Sequence, residues 1–478
     1  MISPSIEKLE KWLEKYLNFE RTPVKNIFWL ETMKFLCQKF DNPQLSAKCI
    51  HVAGSKGKGS VSQMIARILS EEGYKVGIYS SPHIIDFRER ICTAEGFLSE
   101  EIYAKCSKEL IEGIESIKEN EWPGQRAVTW FELVTLFSFL CFREAGTDFN
   151  VYEVGLGGRL DSTNVISPVL CVLCPIELEH TEFLGNTITA IAGEKAGIIK
   201  ENVPVVVSHQ TNKAAERVFA KKANECKSPI FFTDKEIKKS KSVYKTLHSN
   251  NDKFFDDVQK SRLTNGNKGS LTCMEVNLYL KKNREHILLC LQMLGSVQAQ
   301  NAACAILSVK KILPNIKSDV IKIALLKAFL PGRFELVNNI KNYPLIPQLI
   351  LDGAHTVNSI KFTMQTFTKL YKNKIFSKKE NKPILLFACA ADKDIEDIAP
   401  LFKNKFSEII LTIPGLKKVS NLSRAENAFK KNKMPITLES DYKKAIQTAL
   451  SLANEKQVPL LVTGSFYLLS EVKTFLQN

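Results

Sequence analysis

The segment that most constrains this chain is "AKCIHVAGSKGKGSVSQMIARILSEEGYKVGIYS", residues 47–80. An apolar run enters a loop of glycine and lysine, the loop opens a helical pattern, and "KVGIYS" follows as a second apolar run. Strand, loop, helix and strand at this spacing predict a βαβ unit and therefore a parallel sheet. A strand that ends in glycines and opens a helix turns backbone N–H groups and a positive dipole end toward an anion. From such a loop Lys58 reaches the outer phosphates of a nucleotide, and Ser60 adds a hydroxyl, directly or through Mg²⁺. The usual pattern is G-x-x-x-x-G-K-[ST], whereas here Gly59 follows Lys58 and Ser60 stands one place late. A glycine-rich turn without a ligand is the plainer alternative. The lysine, flanked by a strand and a helix, favours a nucleotide.

The α/β texture continues. "FNVYEVG", "VLCVLCPI" and "VPVVVS" read as strands, with helical patterns such as "TWFELVTLFSFLCFREAG" between them. Residues 1–329 therefore form the expected large nucleotide-binding domain. Within it, 234–290 is polar, carries an Asn-Gly turn signal and ends in the alternating "LTCMEVNLYL"; hairpins and a surface insertion are expected there. "LPGRFEL" places a Pro-Gly break at 330–335, the expected hinge. Residues 336–478 alternate again through "PQLILDG", "PILLFACA", "EIILTI", "PITLES" and "PLLVTGS", a smaller α/β domain. Ligands of open α/β sheets bind beyond the carboxyl ends of the strands, so the site is expected in a cleft between the domains.

Bulk properties exclude more than they assign. No run of about 18 apolar residues would span a membrane. "MISPSIEKLEKWLEKYL" is charged and amphipathic, unlike a signal peptide. The expected location is cytoplasmic, with no membrane partner. Twelve cysteines have no framework spacing, and the Cys171–Cys174 pair lacks the second pair a zinc site needs. Buried free thiols are expected, in a reducing compartment. The net charge of +15 raises nucleic acid as a partner, but the lysines are spread and not interleaved with aromatics. A solvated basic surface, which also steers small polyanions, is the expectation.

Further candidates sit at strand ends. "VYEVGLGGRLDSTNV" ends a strand at Glu153, a carboxylate suited to Mg²⁺, before glycines, Arg159 and Asp161. "CPIELEHTEFLG" places His180 after another strand; alone, it reads as a structural histidine. "SSPH" adds Ser81 before a rigid proline. "AIAGEKAGIIK" puts Lys195 in a helix beside Glu194, which by composition alone reads as an exposed charge pair. "LILDGAHTVNS" ends a strand with Asp352, able to meet ribose hydroxyls, followed by His355 beside a phosphate; an Asp-Gly turn is the alternative. "VTGSFYLL" reads as glycine packing with a possible cleft role.

Taken in order, "NPQLSAKCIHVAGSKGKGS", "SSPHIIDFRERI", "EVGLGGRLDSTN", "EKAGIIK", "LPGRFE", "LDGAHT", "DKD" and "TGS" resemble the folylpolyglutamate synthase and dihydrofolate synthase family. That family is related to the Mur ligases of peptidoglycan synthesis. The resemblance implies a large P-loop domain with a parallel sheet and a smaller Rossmann-like domain. It also implies a reaction in which ATP phosphorylates a folate carboxylate and the amino group of L-glutamate displaces the phosphate. Gly57, Lys58, Gly59 and Ser60 resemble the triphosphate loop. Ser81, Glu153 and His180 resemble ligands of Mg²⁺, of which two ions are expected. Lys195 resembles the lysine that family members carry as a carbamate; Lys58, Lys195 and His180 are then the catalytic set. Asn301 and Arg333 resemble nucleotide contacts, Asp352 the ribose contact and His355 a phosphate-side residue. Thr129, Trp130, Phe131 and Glu132, with Leu160, Asp161 and Ser162, match segments bordering the folate pocket.

The chain departs from the common pattern at Ser55-Lys56, where bacterial members usually carry Thr-Asn. It departs again at Glu179-His180, where Asp-His is commoner, and at Gly295-Ser296-Val297-Gln298, which lacks a histidine. Folylpolyglutamate synthase is the favoured reading, with dihydrofolate synthase or both activities as the alternative. A non-catalytic ATP-binding protein is the alternative of another class. A monomer is the family-like expectation, and nucleic acid is not an expected partner.

Overall fold

The computed structural model describes residues 3–18, 29–248, 270–338, 340–376, 381–416 and 418–477; the expected Asn-Gly turn of the insertion lies outside them. By contacts the chain divides into two units. Unit 1 comprises 1–240, 277–288 and 299–328, and unit 2 comprises 241–276, 289–298 and 329–478.

Unit 1 is built on a sheet whose central strands are buried on both faces, which is why they read as unbroken apolar runs. Its strands are β1 (Lys48–Ala53), β2 (Val76–Tyr79), β3 (Ile91–Thr93), β4 (Gly96–Phe97), β5 (Phe149–Glu153), β6 (Pro168–Leu173), β7 (Val205–Val207) and β8 (Ile230–Phe232). Their order is β4-β3-β2-β5-β1-β6-β7-β8. β2, β5, β1, β6, β7 and β8 run parallel, and β3 and β4 form an antiparallel edge.

The register places the site. Val52 pairs with Glu153, Tyr79 with Tyr152 and Ala53 with Leu173, so four strands end level on one edge of the sheet. The loops that leave that edge hold Gly54–Gly57, Ser80–Ser81, Val154–Asp161 and Cys174–His180. On one face the helix Trp130–Ala145 is buried over nearly its whole surface, packing Leu133, Phe137 and Leu140 with Tyr79 and Tyr152. The other face packs Ile191, Ala192, Ile198 and Phe219 against Leu173 and Val207.

The expected insertion is stranded. β9 (Ile237–Lys239) pairs antiparallel with the end of β11 (Ser270–Leu280) in unit 1, while β10 (Val243–His248) pairs with its start in unit 2. Leu271 and Cys273 are buried on β11, and then Met274, Val276, Leu278 and Leu280, so the alternation of a strand holds on both sides of a change of phase between Cys273 and Met274. β12 (Glu285–Leu291) completes this sheet. The free-thiol expectation needs correction here: Cys273 and Cys290 form a disulfide, with Cα atoms 5.7 Å apart. Two strands bring together cysteines that sequence spacing keeps apart. The other ten cysteines are free.

Unit 2 carries a second sheet in the order β13-β14-β18-β15-β16-β17. Its strands are β13 (Glu335–Val337), β14 (Leu349–Asp352), β15 (Ile384–Phe387), β16 (Glu408–Leu411), β17 (Ile436–Leu438) and β18 (Leu460–Thr463). All are parallel except β13, which is antiparallel to β14. Leu349, Leu386, Leu460, Ile446 and Leu469 centre its core. The whole is a mixed α/β fold with a large, mainly parallel sheet and a separate α/β domain at the carboxyl end. Among the described residues no helix is long and apolar enough to cross a membrane.

Candidate active site

The loop after β1 is held from below. Gly54 lies so close to Cys174 that an added Cβ would sit 2.5 Å from the Cys174 Cβ. The N–H groups of Ser55 and Lys56 donate to the Pro175 carbonyl at 2.9 and 3.2 Å, and Ser55 Oγ donates to the Glu177 carbonyl at 3.1 Å. Gly57, at φ +83°, caps the helix Lys58–Glu71 in the left-handed region that glycine tolerates. A Cβ there would press to 2.7 Å from Asn301 Oδ1, so Asn301 packs against the loop. Gly59 and buried Ser60 lie in the first turn, where backbone N–H groups have no intrahelical acceptor.

Charged groups gather at this edge. Lys58 Nζ is 3.9 Å from Glu153 Oε1, Lys56 Nζ is 3.9 Å from Glu179 Oε2, and Lys195 Nζ is 3.0 Å from Glu179 Oε1. Burial opposes ionisation of Glu179, but Lys195, Lys58, Lys56 and His180 outweigh it and hold its carboxyl below the usual range. Lys195 is only 2% exposed, which corrects the exposed-pair reading that composition suggests. Burial is the main cause that brings its ammonium down to about 8, against the pull of Glu179.

A folded loop puts Lys195 there. Asp161 accepts from the N–H groups of Gly155, Leu156 and Thr163 at 2.9–3.0 Å and from the Thr163 hydroxyl, which curls residues 155–161. The curl lays Gly158 on the helix Ile188–Ala196, where a Cβ would meet the Glu194 carbonyl at 2.8 Å and Lys195 Cα at 3.0 Å. Arg159 adds a backbone bond of 2.8 Å and a 3.0 Å ion pair, both to Glu194. Asp161 is itself buried, and burial raises its pKa against these hydrogen bonds. His180 follows β6 in the left-handed region, at φ 46° and ψ 40°. A non-glycine residue held there stores strain on the order of 1–3 kcal/mol. Ser81 follows β2 at a cis Ser81–Pro82 bond.

Unit 2 gathers the remaining expected nucleotide residues around Phe466. The Arg333 guanidinium lies 4.6 Å from that ring, the His355 ring 6.2 Å from it, and a Cβ on Gly353 would meet it at 2.3 Å. His355 Nδ1 is 2.8 Å from the Gly353 carbonyl, so Nδ1 carries the proton. Asp352 accepts from the N–H groups of Phe334 and Ala354 at 2.8 and 3.0 Å and from Thr363 Oγ1 at 2.8 Å. In this state the carboxylate ties the Pro-Gly segment to β14.

Two matches cover most of the chain: the Mur ligase middle domain over residues 52–309 and the Mur ligase glutamate ligase domain over 332–466. The dihydrofolate synthase/folylpolyglutamate synthase of Bacillus subtilis is 32% identical over 78% of this chain and 79% of its own. The folylpolyglutamate synthase of Lacticaseibacillus casei is 30% identical over 92% of each chain. The chain belongs to the folylpolyglutamate synthase/dihydrofolate synthase family. A solved complex of folylpolyglutamate synthase with AMPPCP is similar to this Mur-type ligase at TM-score 0.77, 25% identical and covering 100% of both chains. Family membership makes the chain an ATP-dependent, amide-forming ligase.

The ligase's donor set fits a hard cation. Glu153 and Ser81 offer oxygen, and Mg²⁺ takes few protein ligands when phosphate oxygens supply the rest; imidazole, from His180, is the less usual donor. No group of three or more His, Cys, Asp or Glu side chains among the described residues could hold a metal alone.

The residues matched to the folate pocket divide. Thr129 and Glu132 form a capping box, Thr129 N–H and Oγ1 each donating to Glu132 Oε2 at 2.8 Å, and Arg126 also pairs with Glu132. T-x-x-E is the local signal for that role. Trp130 stacks under Arg90, whose guanidinium is 4.9 Å from the ring, and Phe131 fills the space over Gly155. Leu160 and Ser162 are half-buried beside Asp161. Sequence reasoning missed Glu179 as a site residue. Its one signal is its place beside His180, after a buried strand.

Proposed function

We propose that the chain is a folylpolyglutamate synthase that joins L-glutamate to a tetrahydrofolate carboxylate at the expense of ATP. The observation that carries this is the convergence of Lys58, Glu153, Glu179 and buried Lys195 on one sheet edge, in a chain so like its Lacticaseibacillus casei relative. The AMPPCP complex of a similar protein supports ATP as the substrate.

In this reading the first turn of Lys58–Glu71 and the Lys58 ammonium hold the outer phosphates. Phosphoryl transfer needs positioning and charge neutralisation more than covalent help. Glu153, Ser81 and His180 would hold Mg²⁺, which when bound neutralises charge on the phosphate oxygens. The substrate carboxylate oxygen takes the phosphoryl group, ADP departs, and the glutamate amine attacks the acyl carbon. Phosphate leaves with the carboxylate oxygen as the amide forms. Lys195 in its neutral form can add CO₂ and release a proton, which turns the side chain into an anion. Asn301, Arg333, Asp352 and His355 serve the nucleotide, while Trp130, Phe131, Leu160 and Ser162 border the folate.

A second reading is favoured by the Bacillus subtilis relative, whose name carries both activities. Incubation with ATP, glutamate and either tetrahydrofolate or dihydropteroate separates the readings. Glutamylated tetrahydrofolate is expected. Product from dihydropteroate alone would overturn the proposal, and product from both would establish the dual enzyme. ATP binding without glutamate-dependent ADP release would leave a non-catalytic ATP-binding protein.

A further inference from the structure

Helix ends fray, yet Lys195, the penultimate residue of Ile188–Ala196, is fully buried. Two glycines let the curled loop press on this helix end. Gly158 lies against Glu194 and Lys195, and Gly197 lies against Arg159, where a Cβ would meet Arg159 Cα at 2.6 Å.

Asn164 ties the same junction. Its buried side chain donates through Nδ2 to the Arg159 carbonyl at 2.9 Å and to the Gly197 carbonyl at 3.2 Å. Arg159 in turn donates its own N–H to the Glu194 carbonyl at 2.8 Å. Both backbone groups of one loop residue are thereby bound to the helix end. Lys200 completes the arrangement, with Nζ 2.8 Å from Asn164 Oδ1 and 3.1 Å from the Asn164 carbonyl. An ammonium only donates, whereas an amide accepts on one side and donates twice on the other. Lys200 therefore turns Oδ1 toward itself and leaves both N–H groups for the two carbonyls. The flipped amide would set N–H against ammonium and oxygen against two carbonyl oxygens. Lys200 is anchored as well, because its carbonyl accepts from Ser228 Oγ at 2.7 Å. A buried polar network satisfied in this way is rigid.

We propose that Asn164 and Lys200 are positioning residues for Lys195: Asn164 clamps the loop 155–161 to the helix end, Lys200 fixes the direction of its amide, and together they keep Lys195 buried against Glu179. The inference rests on the role given to Lys195 in the proposed reaction.

The test follows Lys195 in the full chain by its rate of acetylation with sulfosuccinimidyl acetate. Peptide mass spectrometry reads that rate against exposed Lys108 for the wild type, Asn164→Ala, Lys200→Met, Lys200→Arg and the Asn164→Ala/Lys200→Met pair. Asn164→Ala should speed acetylation of Lys195 about tenfold, since the helix end opens more often without those hydrogen bonds. Its kcat should fall by a similar factor with the KM for ATP unchanged. Lys200→Met should act in the same direction to a lesser degree, and Lys200→Arg, which keeps a cationic donor, should regain most of the protection. Because Lys200 acts through the amide, removing it should add little once Asn164 is gone. Wild-type protection of Lys195 in Asn164→Ala, or a Lys200→Met effect of equal size in both backgrounds, would overturn the proposal. So would a parallel rise at Lys327, held by Glu71 at 3.0 Å, which would reduce the pair to general stability. If Asn164→Ala does not fold, Asn164→Ser carries the same expectations. Wild-type kcat in Asn164→Ala beside an inactive Lys195→Ala would also contradict the proposal. Lost protection together with undiminished turnover in Lys195→Ala would instead defeat the role given to Lys195 and leave the clamp standing.

Discussion

Lys195 is a lysine whose surroundings make it chemically unusual. With its ammonium near pH 8, a sizeable fraction is neutral at neutral pH, and the neutral amine is the form that adds CO₂. The sign is simple: below pH 8 each unit of acid removes about nine-tenths of the neutral amine. Added bicarbonate should therefore raise turnover more at pH 6.5 than at pH 8.5, and Lys195→Ala should regain part of its activity with small carboxylates. A bicarbonate response independent of pH, or a wild-type mass that never shows the added CO₂, would count against the carbamate. Lys58 and Glu153 face each other at 3.9 Å. Lys58→Ala should lower kcat by roughly 100–1000-fold, as loss of a preorganised charge does, while circular dichroism stays unchanged. Near-normal turnover would remove Lys58 from the machinery.

At the scale of elements, the loop Val154–Asp161 matters because it sets the helix that carries Lys195. Gly158→Ala would push a methyl group into the Glu194 carbonyl and Lys195 Cα, so loop or helix must shift. Kinetics should show kcat falling by on the order of 100-fold with little change in the KM for ATP; a fall in ATP affinity instead would place the loop's role elsewhere. These contacts explain what the sequence makes legible and what it does not. Lys58 and Glu153 can be read directly because each follows a strand and stands beside glycines that bend the chain. Lys195 cannot, since its burial is created by residues 155–161 folding over it, and in its own segment it is one half of a charged doublet. Glu179 looks like a solvated strand end until Lys195 arrives from the next helix and Lys56 from a segment far away in sequence. Cys273 and Cys290 meet only because β11 and β12 lie in one sheet. Thr129 and Glu132, by contrast, carry their capping role in four consecutive residues.

For the whole molecule, the alternation of strands and helices announces two α/β sheets, but strand order is set by pairings distant in sequence. One such pairing buries His51 on β1, with Nε2 2.9 Å from Thr163 Oγ1, which in turn donates to Asp161. His51 therefore carries its proton on Nε2, and Nδ1 has no hydrogen-bond partner among the described residues. Burial first, then Lys200, lowers its pKa to about 3. The unfolded chain binds a proton at this imidazole below about pH 6.5, and the folded chain does so only near 3. Its contribution to stability is thus present in full above 6.5 and is lost as pH falls through that window. Urea unfolding of wild type and His51→Asn between pH 4 and 7 should show a shallower acid decline in the variant; parallel curves would mean that His51 titrates normally.

The central claim is that the phosphoryl group of ATP passes to a folate carboxylate before glutamate is joined. Tetrahydrofolate labelled with oxygen-18 in its γ-carboxylate tests this most directly, with the released phosphate analysed by mass spectrometry after turnover with ATP and glutamate. Transfer of one labelled oxygen into each phosphate formed is expected, because the oxygen that accepts phosphorus leaves with it. Unlabelled phosphate alongside glutamylated product would contradict the account.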